Sequence, residues 1–282
     1  RDGDYYSAAS YCFGTNIQLK EQYYQEKKPA IGKLHQLFNA LDRKIEVLEN
    51  KINQEKIETI ADLQTLIVVK ERLNDVHKQI ESFRENPSEQ SLEKSYYLLA
   101  YAEERFFSAV SWMQFFSMDG KKFMLDKETL SKSCLQKISE AEERQQYIAF
   151  FLDPSFINGI NDKISTAKIA LKDDETALCL IKASQAKADA NALLTSLGLN
   201  NESISDVFQA KLTAVERVIS ENSAEGIFPI LGYSYYQYAK SLQDTEQYTA
   251  LLYLEYALDM SELGMYFPEE QTFRQSISRT LQ

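Results

Sequence analysis

The sequence predicts an all-α protein, and three observations support this fold class. Glycine and proline are scarce, at 9 and 5 of 282 residues, which disfavours sheets joined by many tight turns. Apolar residues recur every three or four positions along most of the chain, as in helices that bury one face. Hydrophobic residues make up 44% and charged residues 26%, a composition typical of globular proteins rather than disordered chains.

The first predicted region, residues 1–153, is a helical bundle that carries a long hairpin. An amphipathic helix over residues 3–26 precedes Pro29. The hairpin, residues 30–85, begins with a heptad pattern typical of a coiled-coil seam. The residues of this pattern are Ile31, Leu34, Phe38, Leu41, Ile45, Leu48 and Ile52. Thr59 and Asp62 resemble a capping pair that opens the return helix.

Two arrangements fit the hairpin: an antiparallel coiled coil, or two helices packed flat in a bundle. The strict period favours the coiled coil. A helix over residues 89–117 follows, and its aromatic side chains surround most of its circumference, which predicts a central position in its domain. These side chains are Tyr96, Tyr97, Tyr101, Phe106, Phe107, Trp112, Phe115 and Phe116. A further helix, Lys127 to Leu152, ends at Asp153-Pro154.

The second predicted region, residues 154–282, is a series of helical hairpins. Asp173-Asp174 supply a turn, and Gly198 supplies a helix stop. An alanine-rich face permits close approach of helices, with Ala177, Ala183, Ala186 and Ala190. The predicted helices span residues 161–171, 175–197, 203–222, 227–243 and 245–263, with a last helix after Pro268.

Three segments match the second helix of a tetratricopeptide repeat, where a small residue is followed by a large one four positions later and a small one seven positions later. No regular period links the first match to the others, so tetratricopeptide-like stacking is predicted rather than a regular array. The first match lacks a preceding helix, which favours a fragment of a longer protein over a start produced by processing. The matches are Ala8 and Cys12; Ala177, Ile181 and Ser184; and Ala250, Leu254 and Ala257.

Charge and composition exclude several classes of function. The net charge of −11 disfavours binding to nucleic acid or to anionic membranes. The three cysteines are far apart and the chain has two histidines, so a zinc site by local spacing is excluded. We expect the cysteines to be buried free thiols rather than a disulfide, and we expect no cofactor and no metal.

The candidate catalytic motifs in the sequence are ones that a chain of this composition contains by chance. The Ser-x-x-Lys tetrads lack the Ser-Asp-Asn and Lys-Thr-Gly elements of serine–lysine enzymes. Acidic pairs occur without the Glu-x-x-His motif that a carboxylate metal site in a helix bundle needs, so we expect these pairs on solvated helix faces or at helix caps. We expect His77 to form a surface ion pair. The tetrads are Ser91–Lys94, Ser165–Lys168 and Ser184–Lys187, and the acidic pairs are Glu103-Glu104, Glu142-Glu143 and Asp173-Asp174.

The candidate partner-binding surface lies on the helix over residues 231–242. Tyr233, Tyr236 and Lys240 face away from the predicted packing stripe, and tyrosine suits recognition because it offers contact area at low entropic cost. The alternative is that these tyrosines pack on a neighbouring helix. The stripe consists of Leu231, Tyr235, Ala239 and Leu242.

"GDYYSAASYCFGTNI" near the start and "LGYSYYQYAKSL…TALLYLEYALDMSEL" near the end resemble the all-helical region that follows the protease domain in predicted archaeal Lon-like serine proteases. The resemblance implies a Ser–Lys protease domain N-terminal to this chain, and an exported or membrane-associated protein. No segment bearing the family's nucleophile or lysine is visible, so no catalytic residue carries over. Without the resemblance, a cytoplasmic protein is expected.

Three hypotheses follow. The first is a non-catalytic interaction or regulatory module attached to a Lon-like protease domain. The second is a free-standing helical scaffold that binds a protein or peptide. The third is an unrecognised enzyme. The sequence leaves the oligomeric state open.

Overall fold

The computed structural model is all-α, as predicted. It describes residues 5–85, 92–198, 204–262 and 266, with the backbone alone for residues 5–11. The described residues contain no β-strand, and an isolated bridge pairs Thr59 with Lys122. The α-helices in these ranges are α1 (Tyr5–Lys27), α2 (Ile31–Ile52), α3 (Ile60–Glu85), α4 (Leu92–Trp112), α5 (Lys127–Ile148), α6 (Asn158–Lys172), α7 (Thr176–Leu197), α8 (Ile204–Ala224), α9 (Ile230–Leu242) and α10 (Gln247–Ser261).

Each predicted helix before residue 263 corresponds to one observed helix, with ends within a few residues. The side chain of Ala8 and the predicted helix after Pro268 lie outside the described residues. Contacts group the described chain into two compact units. The first unit holds residues 57–67 and those from 117 onward, and the second holds residues 5–56 and 68–116. The predicted regions 1–153 and 154–282 stay a prediction.

In the second unit, α2 and α3 run antiparallel. Arg84 Nη2 lies 2.6 Å from Asp42 Oδ2, and the rings of Phe38 and Phe83 stack with centroids 4.2 Å apart. All the predicted seam residues of α2 except Ile31 are buried. The antiparallel pairing is therefore observed, while the coiled coil and the tetratricopeptide-like stacking stay predictions.

The aromatic helix α4 packs against α1 and α2, and its rings differ in burial. Tyr96, Phe106 and Trp112 are buried, whereas Tyr97 and Phe107 are 44% and 50% exposed. Some aromatic side chains of α4 are therefore not needed for its packing in the core.

The acidic pair on α4 corrects one expectation. Glu104 was expected on a solvated face, and this is wrong because the side chain is buried. Its Oε1 lies 2.8 Å from Lys20 Nζ on α1, and Asn16 Nδ2 donates a hydrogen bond to its Oε2 at 3.2 Å. The carboxylate therefore contributes to the contact between α1 and α4.

In the first unit, α5, α6 and α7 pack on one another, and α10 packs against α7, α8 and α9. The predicted alanine-rich face of α7 is buried. A disulfide joins Cys134 of α5 to Cys179 of α7, and their Cα atoms are 6.0 Å apart. The expectation of free thiols is therefore wrong for this pair, because close helix packing brings the two Cα atoms within disulfide range. Cys12 is a free thiol, but it is exposed rather than buried.

Caps fix several helix ends in the first unit. Asp62 Oδ2 accepts hydrogen bonds from the backbone N–H and the hydroxyl of Thr59, and Thr59 Oγ1 accepts from the Asp62 N–H. The predicted capping pair is confirmed. Buried Gln64 accepts from the Leu231 N–H at the start of α9 and donates to the Met260 carbonyl near the end of α10. It thereby satisfies one backbone donor and one backbone acceptor that helix ends leave open.

Candidate interaction surfaces

The predicted packing stripe of α9 is buried as expected. Leu231, Tyr235, Ala239 and Leu242 all lie in the core of the first unit. Gly232 permits a close approach to α10, because an added Cβ there would lie 3.0 Å from the Ala257 carbonyl oxygen. The four stripe residues therefore pack inward as expected, but the expectation that Tyr236 faces away from the packing is wrong, because its side chain is buried as well.

The three predicted partner-binding residues of α9 lie close together but differ in exposure. Tyr236 is buried, and its hydroxyl donates a hydrogen bond to Glu216 Oε1 of α8 at 2.5 Å. Burial, together with this carboxylate, raises the pKa of Tyr236 above its ordinary value. Lys240 is exposed, with its Nζ 5.2 Å from the centre of the Tyr236 ring.

Tyr233 is half-buried and contacts Phe228, with ring centroids 5.3 Å apart. Gln237 Nε2 donates to its hydroxyl at 2.7 Å. Contacts within the protein thus cover much of the surface of Tyr233 and Tyr236, and the exposed Lys240 lies beside the Tyr236 ring. Partner binding by Tyr233, Tyr236 and Lys240 stays a prediction.

A second aromatic surface was missed by the sequence reasoning. It consists of Tyr147, Phe150, Phe151 and Phe156, which are 55%, 83%, 60% and 64% exposed. All four lie where α5 ends and α6 begins, and we call this surface the α5–α6 corner. The signal was present in "YIAFFLDPSF", where four aromatic residues surround the predicted helix break at Asp153-Pro154.

The backbone of the corner explains why these rings point into solvent. After α5 ends at Ile148, the chain turns, and the Phe151 N–H bonds to the Ile148 carbonyl at 2.8 Å. A short 3-10 helix, Pro154–Phe156, follows, and Asp153 caps it by accepting from the Ser155 N–H. Ile148 and Ile157 turn inward and are buried. These apolar anchors fill the core beneath the corner, and the four aromatic rings remain outside.

A buried ionic cluster joins α5, α7 and α10. Asp259 Oδ1 lies 3.0 Å from Lys137 Nζ and 2.9 Å from Lys187 Nζ, and Lys187 Nζ lies 2.8 Å from Glu140 Oε2. Burial by itself would lower the pKa of Lys187, but Asp259 and Glu140 outweigh it and raise that pKa. The cluster therefore connects α5, α7 and α10 through close lysine–carboxylate contacts.

In two of the three Ser-x-x-Lys tetrads, the lysine lies beside a carboxylate. Lys187, in the tetrad with Ser184, is held protonated by carboxylates, whereas a general-base lysine needs a lowered pKa. Lys168 lies 2.6 Å from Glu142 Oε1 instead, and Ser91 lies outside the described residues.

The structure also places three other polar residues that the sequence singled out, His77, Asp173 and Asp174. His77 Nε2 lies 3.5 Å from Glu49 Oε1 with the imidazole 40% exposed, so it lies beside a carboxylate at the surface, and the predicted ion pair stays a prediction. Asp173 caps the end of α6, and Asp174 adopts a φ of 70° in the turn before α7. The described part of the chain holds no group of three or more His, Cys, Asp or Glu side chains placed to bind a metal ion.

Comparison of the chain with known protein families, with curated proteins and with solved structures finds no match. The resemblance to the helical region of Lon-like proteases therefore stays a prediction. Among the helices that the structure describes, none combines the length and the apolar character needed to cross a membrane.

Proposed function

We propose that this chain is a non-catalytic helical interaction module that binds a protein or peptide segment at the α5–α6 corner. The observation that carries the proposal is the exposure of four aromatic side chains within ten residues of the chain, two of which, Tyr147 and Phe151, have ring centroids 5.2 Å apart. Their exposed surface is roughly 500 Å² if each ring can bury about 200 Å². This matches the larger apolar patches of monomeric proteins, which are often functional.

The size of the corner favours a peptide segment over a second copy of the chain. A standard protein–protein interface buries about 800 Å² on each partner, more than the four rings supply. A short segment that inserts apolar side chains among the rings needs less area. Aromatic residues also dominate the centres of binding surfaces, because they offer large contact areas at low entropic cost.

The module belongs to one of two kinds of protein. The resemblance at the two ends of the chain supports a regulatory region beside a Lon-like serine protease domain in the same polypeptide. The alternative is a free-standing helical scaffold. The coding sequence upstream of Arg1 separates the two, because a Ser–Lys protease domain encoded there supports the first, and its absence supports the second.

A random peptide display selection on the whole purified chain tests the binding function. Enriched peptides are synthesised, and their affinities are measured by fluorescence anisotropy. We expect a Phe150→Ser/Phe151→Ser variant to lose at least tenfold in affinity, because it removes two of the four exposed rings, at 83% and 60% exposure, while leaving the core residues Ile148 and Ile157 in place.

The matched control is Ile169→Ser on α6, since Ile169 is 58% exposed and lies outside the corner. Its affinity should equal that of the original chain. The proposal is wrong if the selection yields no binder, or if the binders keep full affinity for the Phe150→Ser/Phe151→Ser variant.

A further inference from the structure

The partner's chemistry follows from the charges around the corner, and this inference rests on the proposed function. We infer that the α5–α6 corner takes a peptide segment whose apolar side chains are flanked by lysine or arginine. The rings would contact the apolar side chains, and the surrounding carboxylates would attract the cations.

Carboxylates border the four rings along the chain. Glu143 lies one helical turn before Tyr147 on α5 and therefore on the same face, and its side chain is 75% exposed. Asp153 lies between Phe151 and Phe156 and is exposed, and Asp162 is exposed near the start of α6. Residues 142–163 contain four carboxylates and two cations.

Both cations in this stretch already lie beside carboxylates of the chain. Arg144 Nη1 lies 3.6 Å from Glu143 Oε1, and Lys163 forms an ion pair with Asp189 of α7. Arg144 and Lys168 in turn lie beside Glu143 and Glu142, so the negative charge of this stretch rests on the exposed Asp153 and Asp162, in a chain whose net charge is −11. A cationic amphipathic segment is complementary to the rings and to this negative charge, and an acidic segment would be repelled.

The same charges disfavour a membrane surface as the occupant. Exposed aromatic rings suit the interface of a bilayer, but peripheral binding to anionic lipids relies on lysine and arginine next to the apolar side chains. In the stretch around the corner, Asp153 and Asp162 are exposed carboxylates, and the cations Arg144 and Lys163 already lie beside Glu143 and Asp189. A peptide with its own cations meets no such repulsion.

Designed peptides test the inference on the whole chain. Two 15-residue peptides share one apolar face of leucine, phenylalanine and tryptophan, with lysine or glutamate at every polar position. A third peptide keeps the lysines and replaces the apolar residues with serine. Fluorescence anisotropy is measured at low and at high salt, and sedimentation with phosphatidylcholine and phosphatidylglycerol vesicles is measured in parallel.

We expect the lysine peptide to bind at least tenfold more tightly than the glutamate peptide, with the difference shrinking as salt screens the exposed charges. The serine peptide should not bind. A Glu143→Lys/Asp162→Lys variant should reduce the preference at least fivefold, and Phe150→Ser/Phe151→Ser should remove binding of the lysine peptide.

Other outcomes overturn the inference in distinguishable ways. Equal, Phe150-dependent affinity for both apolar peptides rejects the charge preference and leaves the proposed function standing. Lysine-peptide binding that survives Phe150→Ser/Phe151→Ser rejects the corner as its site. If neither designed peptide binds, a lysine and arginine excess among Phe150-dependent display binders supports the inference, and its absence rejects it. Phe150-dependent binding to vesicles or to a second copy, without peptide binding, rejects both proposals.

Discussion

Asp259 of α10 places a carboxylate between two lysine side chains inside the first unit. It is 6% exposed and lies about 3 Å from both Lys137 and Lys187. We predict that Asp259→Asn lowers the free energy of unfolding by about 3–5 kcal/mol, because the remaining buried charges lose their main counter-charge. Urea unfolding followed by circular dichroism measures the change. The control is Glu128→Gln, which breaks an exposed pair with Lys132 and should cost under about 1 kcal/mol.

The same cluster predicts how stability depends on pH. Burial would raise the pKa of Asp259, but Lys137 and Lys187 outweigh it and hold the pKa below its ordinary value. The stabilisation is therefore complete above the unfolded pKa of about 3.9 and is lost as pH falls through the folded pKa. Below about pH 4, the unfolding free energy of the unmodified chain should fall more steeply than that of Asp259→Asn. Equal slopes would show that the cluster does not couple proton binding to folding.

Single residues were predictable from sequence where their partners are local. Thr59 and Asp62 are three positions apart, and their spacing alone indicated the cap that the structure shows. Lys137 and Asp259 are 122 positions apart, and each resembles an ordinary surface residue of an amphipathic helix. Their pairing is set by the packing of α5 and α10 around α7, which no local pattern encodes.

Gly232 governs the contact between two helices. A Cβ at this position would overlap Ser261 Oγ and would lie 3.0 Å from the Ala257 carbonyl oxygen of α10. We predict that Gly232→Ala destabilises the chain by about 1–3 kcal/mol, because the backbone of α10 must move to accommodate the methyl group. Adding Ser261→Ala should restore part of the loss, since one of the overlapping atoms belongs to that side chain. Thermal unfolding by circular dichroism measures both variants.

Gly14 supplies a control for that experiment, because the same substitution there should stabilise the chain rather than destabilise it. It lies within α1, and an added Cβ would meet nothing within 4 Å. Gly14→Ala should therefore stabilise the helix by about 0.5–1 kcal/mol, through the smaller conformational freedom of alanine in the unfolded chain. If Gly232→Ala behaves like Gly14→Ala, α9 and α10 do not approach each other as closely as described.

The seam of α2 permits a test with neighbouring positions on opposite faces. Ile45 is fully buried, whereas Val47 is 71% exposed. Ile45→Asp should lower the free energy of unfolding by about 4 kcal/mol or more, because it buries an uncompensated charge. Val47→Asp should change it by less than about 0.5 kcal/mol. Similar losses for the two variants in chemical unfolding would contradict the burial of this seam.

At the level of whole helices, the sequence predicted where helices end and which of their faces are buried better than it predicted which helices pack against each other. The α2 seam and the α9 stripe showed which residues turn inward, because a helix that buries one face repeats its apolar residues regularly. The exposed rings of the α5–α6 corner share the composition of a core, and only their position at a helix break distinguishes them. Composition alone could not separate a buried aromatic residue from an exposed one.

Across the first unit, one disulfide connects two helices whose pairing no local sequence pattern indicated. Cys134 and Cys179 are 45 residues apart, with α6 between their helices. Glu140 and Lys187 also connect α5 to α7, in the same order along both helices, so these two helices run parallel. Three widely spaced cysteines do not reveal such a pairing, because it depends on the path of the chain through α6.

This cross-link predicts a large effect of reduction on the stability of the whole chain. Closing a loop of 45 residues stabilises the folded state by roughly 4 kcal/mol through the entropy lost by the unfolded chain. Dithiothreitol should therefore lower the melting temperature of the unmodified chain and of Cys12→Ser alike, and leave that of Cys134→Ser/Cys179→Ser unchanged. Alkylation in denaturant should modify one thiol before reduction and three after it. Three modified thiols without reductant would contradict the disulfide and restore the expectation of free cysteines.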